Sequence, residues 1–354
     1  MFISTADRRL HLLDPITFAL QDSIAGLQDG PILSIASLTQ KYLLTASMSG
    51  QLILSDLKGN VVENRRDHKK YVVKIAILED DNTCMVATAG WDNKVYIYRP
   101  NTSTTPPQLG EPTATITLPT KPESLLFLRH PEDSAPLLLL SRTDSSSIYY
   151  YTTTATPPPR ELGRQNLAPH SNAWVAFTPS ALALHPTDPS LLAVATSSIP
   201  QMKLLIVRLL IPPYNPIAAP PPAAASRTSL LDSAVGHETQ ASQARAALVI
   251  ADREDKAIIC HVATGASQTA YSTPAVVWRP EDGGVWVNGD DGVVRGFEAG
   301  TGKACGVLGG LGVKGAHEPG AKVRCLWAGK GGEAQGEVLV SGGFDQRVVV
   351  WRGK

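Results

Sequence analysis

Apolar and β-branched residues along this chain come in runs of four to seven, broken by Gly, Asp, Asn, Ser and Pro. Tyr42–Ser47, Gln51–Ser55, Val72–Ile77 and Lys94–Tyr98 are such runs, and Val285–Asn288, Val338–Ser341 and Arg347–Trp351 repeat the pattern near the other end. Runs of that length, bounded by turn formers, predict β-strands. No stretch carries an apolar stripe at helical spacing beyond two turns, so the pattern predicts a nearly all-β protein.

The runs pair around tight turns. Met85–Gly90, a turn centred on Asp92, and Lys94–Tyr98 form one pair. Phe2–Leu13 around Asp7, Leu43–Ser55 around Ser49, Val285–Phe297 around Asp291 and Val338–Trp351 around Asp345 share its layout. Leu137–Asp144 followed by Ile148–Tyr151 is a further candidate. Asp7, Ser49 and Asp92 are 42 and 43 positions apart, a period that belongs to four-stranded propeller blades. Strand pairs near residues 2–13, 43–55, 85–98, 137–151, 191–208, 247–262, 285–297 and 338–351 allow seven or eight blades. Seven is expected, because the pair at 247–262 lacks an obvious preceding inner strand. The expected fold is a single all-β propeller over residues 1–354, with four-stranded antiparallel blades. Strands from both termini would close it, leaving no open sheet edge.

Ser341-Gly-Gly-Phe-Asp345-Gln-Arg-Val-Val-Val-Trp351, with His317 lying 28 positions before Asp345, resembles a blade of the WD-repeat (WD40) family. Asp67-His68, 24 positions before Asp92, is similar to the Gly-His that opens such a repeat. The resemblance implies a hydrogen-bonded network of His317, Asp345, Ser341 and Trp351 in the last blade. In the third it implies His68, Asp92 and Thr88, with Tyr98 in place of Trp. Leu13, Ser55 and Phe297 occupy the other Trp positions, and Ser49 replaces one Asp. In this family the residue before the turn acid looks out over one rim. Here those residues are Ala6, Met48, Trp91, Asp290 and Phe344. Large apolar groups on a rim are what partner hot spots use, so Met48, Trp91, Phe344 and Asp290 are the candidate partner-binding residues.

Composition narrows the functional classes. Among 354 residues, 32 Lys and Arg balance 32 Asp and Glu, whereas a phosphate-tracking surface needs a basic surplus. Nucleic acid is therefore disfavoured as a partner. No apolar run approaches the roughly 18 residues of a membrane span. The N-terminus places charge after a very short apolar start, the wrong order for a signal peptide. Cys84, Cys260, Cys305 and Cys325 are too scattered for a disulfide framework or a metal pair, which suits a reducing compartment. Arg65-Arg66 is flanked by Asn64 and Asp67 rather than by the Phe/Leu and Gly of lipid-binding propellers, so phosphoinositide binding is disfavoured.

Catalytic patterns are equally sparse. The eight histidines make no His-Glu-x-x-His run, no Gly-x-Ser-x-Gly elbow exists, and the Gly-rich stretch 300–320 holds no phosphate-binding motif. No cofactor or metal is expected. Pro-rich insertions near 101–112, 152–159 and 209–245 read as extended loops. Together with the family resemblance, the expectation is a non-catalytic scaffold that binds protein or peptide partners on the rim and top face, as a subunit of a complex in cytoplasm or nucleus. The alternative is a propeller enzyme or small-ligand binder using the central channel.

Overall fold

Seven of the eight predicted strand pairs are hairpins in the computed structural model, which describes residues 1–80, 83–214, 240–280, 283–331 and 336–353. Each hairpin lies inside a larger antiparallel sheet whose strands follow chain order. The first sheet contains β1 (Phe2–Ser4), β2 (Leu10–Leu13) and β3 (Leu20–Ile24). The second contains β4 (Ile32–Leu38), β5 (Tyr42–Ser47), β6 (Leu52–Asp56) and β7 (Val61–Arg65). The third contains β8 (Val72–Asp80), β9 (Thr83–Gly90), β10 (Lys94–Tyr98) and β11 (Ala114–Thr117).

The fourth sheet is built from β12 (Pro122–Arg129), β13 (Pro136–Arg142), β14 (Ser147–Thr152) and β15 (Glu161–Asn166). The fifth has β16 (Thr178–Leu184), β17 (Leu191–Ser197), β18 (Gln201–Arg208) and β19 (Ile258–Ser267). The sixth has β20 (Val276–Trp278), β21 (Gly284–Val287), β22 (Val294–Glu298) and β23 (Ala304–Leu308). The seventh has β24 (Val323–Lys330), β25 (Glu337–Gly343) and β26 (Val348–Arg352). The fold is a seven-bladed propeller. The first strands of successive blades, β4, β8, β12, β16, β20 and β24, touch one another in turn and line its centre.

The core is a set of layers between blades. Alternate residues on a strand face opposite sides of the sheet, so a blade has two apolar faces and each needs a neighbour. Ala87, Ala89 and Val95 of the third blade meet Leu125, Leu138 and Tyr149 of the fourth. The other pleat face of the fourth, with Leu137, Leu139 and Tyr150, meets Leu182, Leu192 and Leu205 of the fifth. Similar clusters lie between blades one and two, two and three, five and six, and six and seven.

Two expectations need correction. Residues 247–262 do not form a hairpin: Gln240–Ala257 is an α-helix (α1), which leads into β19. Its Leu248-Val249-Ile250 run, strand-like in sequence, is exposed on all three residues. The helix is anchored near its other end, where Glu254 accepts the Asn166 N–H at 2.8 Å and Asp252 lies 3.6 Å from His170. Ala, Gln, Arg, Glu and Lys give this stretch its helical preference in the absence of a buried face.

Closure also differs in detail. The strands near the two termini supply the first and last blades, which meet where the Arg352 guanidinium lies 5.9 Å from the Phe18 ring. Among the described residues these two blades have three strands each, and no strand passes from one sheet into the other. The three Pro-rich insertions all fall between third and fourth strands, of blades three, four and five; residues 215–239 of the last lie outside the described residues.

Removing side-chain volume from an inter-blade layer should cost what a well-packed core charges. Leu138→Ala, at a position with 0% exposure, is expected to lower unfolding free energy by about 2–5 kcal/mol in chemical denaturation.

Candidate functional site

The turns that join second and third strands share one backbone geometry. In five of them the residue after the turn acid or its substitute is left-handed: Arg8, Gly50, Asn93, Gly292 and Gln346, with φ between 61° and 85°. In the turns of blades two, three, four and seven the residue before the acid or its substitute is anchored as well. The N–H groups of Met48, Trp91, Thr143 and Phe344 donate to the carbonyls of Pro31, Tyr71, Lys121 and Lys322 at 2.8–2.9 Å. Each acceptor immediately precedes the first strand of its blade, so these turns stand on one face of the ring.

Beneath two of these turns lies a polar chain in each blade. In the last blade His317 Nδ1 is 3.0 Å from Asp345, and the Glu318 N–H donates to the same carboxylate at 3.0 Å. His317 Nε2 is 2.9 Å from Ser341 Oγ, which in turn accepts the Trp351 indole N–H at 2.9 Å. The pattern is self-consistent with Nδ1–H donating to the carboxylate and the Ser hydroxyl donating to Nε2. In the third blade His68 Nδ1 meets Asp92 at 2.9 Å and Nε2 meets Thr88 Oγ1 at 2.9 Å. Tyr98, at the Trp position, donates instead to Asp67 at 2.9 Å.

Gly90 and Gly343 make this possible, since a Cβ at either would collide with the His ring and the Asp carboxylate. Burial disfavours ionisation of Asp92 and Asp345, but hydrogen bonds from the His rings and the Lys69 and Glu318 N–H groups outweigh it. Both carboxyls therefore sit below their ordinary value. In the second blade a buried Gln28 takes the His place, its amide donating to Thr45 Oγ1 at 2.9 Å. The sequence offers little sign of that substitution beyond a polar residue shortly before an inner strand.

The rim candidates divide. Phe344 is 64% exposed, and the Arg324 guanidinium lies 4.1 Å from its ring centroid. Trp91 is 37% exposed, stacked on Tyr71 at 5.0 Å and covered by the Lys121 ammonium at 4.7 Å. Met48 is half-buried. Asp290 does not belong with them: its side chain is only 7% exposed, held by Lys322 at 3.1 Å and by the Ser272 hydroxyl at 2.5 Å. A carboxylate so engaged braces the join between blades six and seven and presents little to a partner.

Sequence reasoning missed Tyr71, Lys121, Arg324 and the exposed Tyr271, whose carbonyl accepts from Arg324 at 2.9 Å. They lie on or beside inner strands and join the rim only through the fold. On the inner strand β12, burial pushes the Glu123 carboxyl up to about 7, against the pull of Lys121. Among the described residues, no three His, Cys, Asp or Glu side chains are gathered as a metal site requires, and no helix is long and apolar enough to cross a membrane.

A ring of blades with one rim of turn residues defines the chain as a β-propeller. It belongs to the family described as UCP007778, beta-propeller domain, whose profile matches residues 2–352. No curated protein matches it. Among solved structures, a chain in the crystal structure of the Mitotic Checkpoint Complex superposes with a TM-score of 0.61 at 10% identity. The match covers 99% of this chain and 84% of that one, and shows shared fold.

Asp345→Ala leaves His317 Nδ1 and the Glu318 N–H without an acceptor, and is expected to cost about 1–3 kcal/mol in thermal or denaturant unfolding. The wild-type contribution should be complete above the ordinary carboxyl value of 3.8. It should disappear as pH falls through the lower folded value. Wild type and variant should therefore converge in stability toward acid.

Proposed function

We propose that this chain is a non-catalytic WD-repeat scaffold whose turn-bearing face docks protein or peptide partners within a larger assembly. The observation that carries this reading is the pair of exposed aromatics on one face, each beside a cation: Phe344 with Arg324, and Trp91 with Lys121. Aromatic and Arg side chains dominate partner hot spots. The His–Asp–Ser/Thr networks of blades three and seven support the WD-repeat reading. A neighbour of the same fold sits in a mitotic checkpoint complex, which accords with a role as a subunit. A cytoplasmic or nuclear location fits the scattered cysteines, none of them in a disulfide.

The test compares affinity purification of wild type with Trp91→Ala and Phe344→Ala, each checked by thermal melting. Partners retained by wild type should fall at least about tenfold in recovery, as expected for hot-spot loss, while the melting temperature stays close to wild type. Full recovery of every partner by both variants would remove the rim from the reading.

A further inference from the structure

The fold sorts the charges of the Asp67-His68-Lys69-Lys70 run, which are of mixed sign in sequence. Asp67 is held against its blade, accepting from the Arg65 guanidinium at 2.8 Å and from the Tyr98 hydroxyl at 2.9 Å. Asp92, in the turn beneath, is taken up by His68 and by the Lys69 N–H. Lys69 and Lys70 stay exposed, and among the described residues neither ammonium has an ion-pair or hydrogen-bond partner.

The next connection between blades adds to the same charge. Lys121, just before β12, is exposed; its ammonium lies 4.7 Å from the Trp91 ring centroid and is paired with no carboxylate among the described residues. Glu123 follows two positions on, but burial pushes it up to about 7, so at neutral pH it offsets Lys121 only in part. Lys74, on the inner strand β8 that begins after Tyr71, is half-buried and also without an ion pair among the described residues. Burial pulls its ammonium below the ordinary value, so it too lacks a counter-charge.

Three exposed lysines from two successive connections thus flank the Tyr71–Trp91 stack. On either side the signs are mixed again: Arg66 pairs with Asp29 at 2.8 Å, and Arg142 shares the next turn with the exposed Asp144. A basic patch this short, bounded by carboxylates, does not suit a nucleic-acid backbone, which needs a continuous basic track. It matches a short segment that carries carboxylates around one apolar side chain.

We infer that this sector of the rim takes an acidic peptide segment of a protein partner, with carboxylates at Lys69, Lys70 and Lys121 and an apolar anchor on Trp91. The inference rests on the docking role proposed above for the turn-bearing face and adds the sign of the partner's charge. Exposed charges act mainly on encounter, over a range that salt shortens. The aromatic contact, from which water is excluded, sets how long the complex lasts.

The probe is a phage-displayed library of random dodecapeptides, selected on the whole chain at low salt. Selected peptides should carry net negative charge and an aromatic or aliphatic residue. With one of them made synthetically, Lys69→Glu/Lys70→Glu and Lys121→Glu should each slow association at least tenfold, with dissociation changed less than about twofold. Raised salt should shrink that difference, and melting temperatures should match wild type. Lys69→Gln/Lys70→Gln, which only removes charge, should give an intermediate rate and keeps the test independent of how the Glu variants fold. Trp91→Ala should instead speed dissociation at least tenfold. No enrichment, selection of neutral or basic peptides, or association untouched by the lysine variants would overturn the inference. So would tighter binding of a single-stranded RNA or of phosphatidylserine vesicles through the same lysines. Loss of peptide binding in Trp91→Ala with wild-type association in the lysine variants would keep the docking face and remove only its preference for acid.

Discussion

The structure depends on the two-sidedness of a β-sheet. A four-stranded blade of this chain puts apolar side chains on both faces, as with Leu138 and Leu140 on one side of β13 and Leu137 and Leu139 on the other. Neither face can be hidden within the blade, and at about 25 cal/mol per Å² of apolar surface the incentive to cover both is large. Tilting equivalent blades round an axis gives each face a partner, so the core is a series of layers with no single centre. That arrangement leaves the strand ends and turns exposed, with no apolar interior to enter.

Polar networks hold those turns in place. Asp92 and Asp345 each accept bonds from a His side chain and from the backbone N–H that follows it. The connection arriving from the previous blade is thereby pinned to the turn of its own blade. A buried carboxylate is costly unless satisfied, and here the His ring and the N–H after it both come from that one connection. The rigidity of the rim rests on these local clamps. Where the clamp is a Gln–Thr pair, as in the second blade, the same position is held with weaker, uncharged bonds.

The propeller architecture was legible because its signals are local. Strand length, turn residues and a recurring spacing of Asp7, Ser49 and Asp92 all survive in one dimension. The His68 and His317 networks could be read by the same repeat logic. The helix at Gln240–Ala257 could not, because Leu248, Val249 and Ile250 imitate a strand and make no packed stripe. Asp290 escapes a local reading for a related reason: its position in the turn says exposed, yet Lys322 and Ser272 arrive from separate segments to enclose it.

The sequence alone determined the repeating unit: how long a blade is, where it turns, and which side chains alternate, since these follow from residue-by-residue periodicity and turn chemistry. Which aromatics stand beside which cations on the rim, and that the first and last blades lie side by side, emerge only in the assembled ring. Those outcomes depend on contacts between residues far apart in the chain, such as Phe18 with Arg352 and Trp91 with Lys121. No local pattern encodes them, because the ring brings such residues together only when every blade is in place.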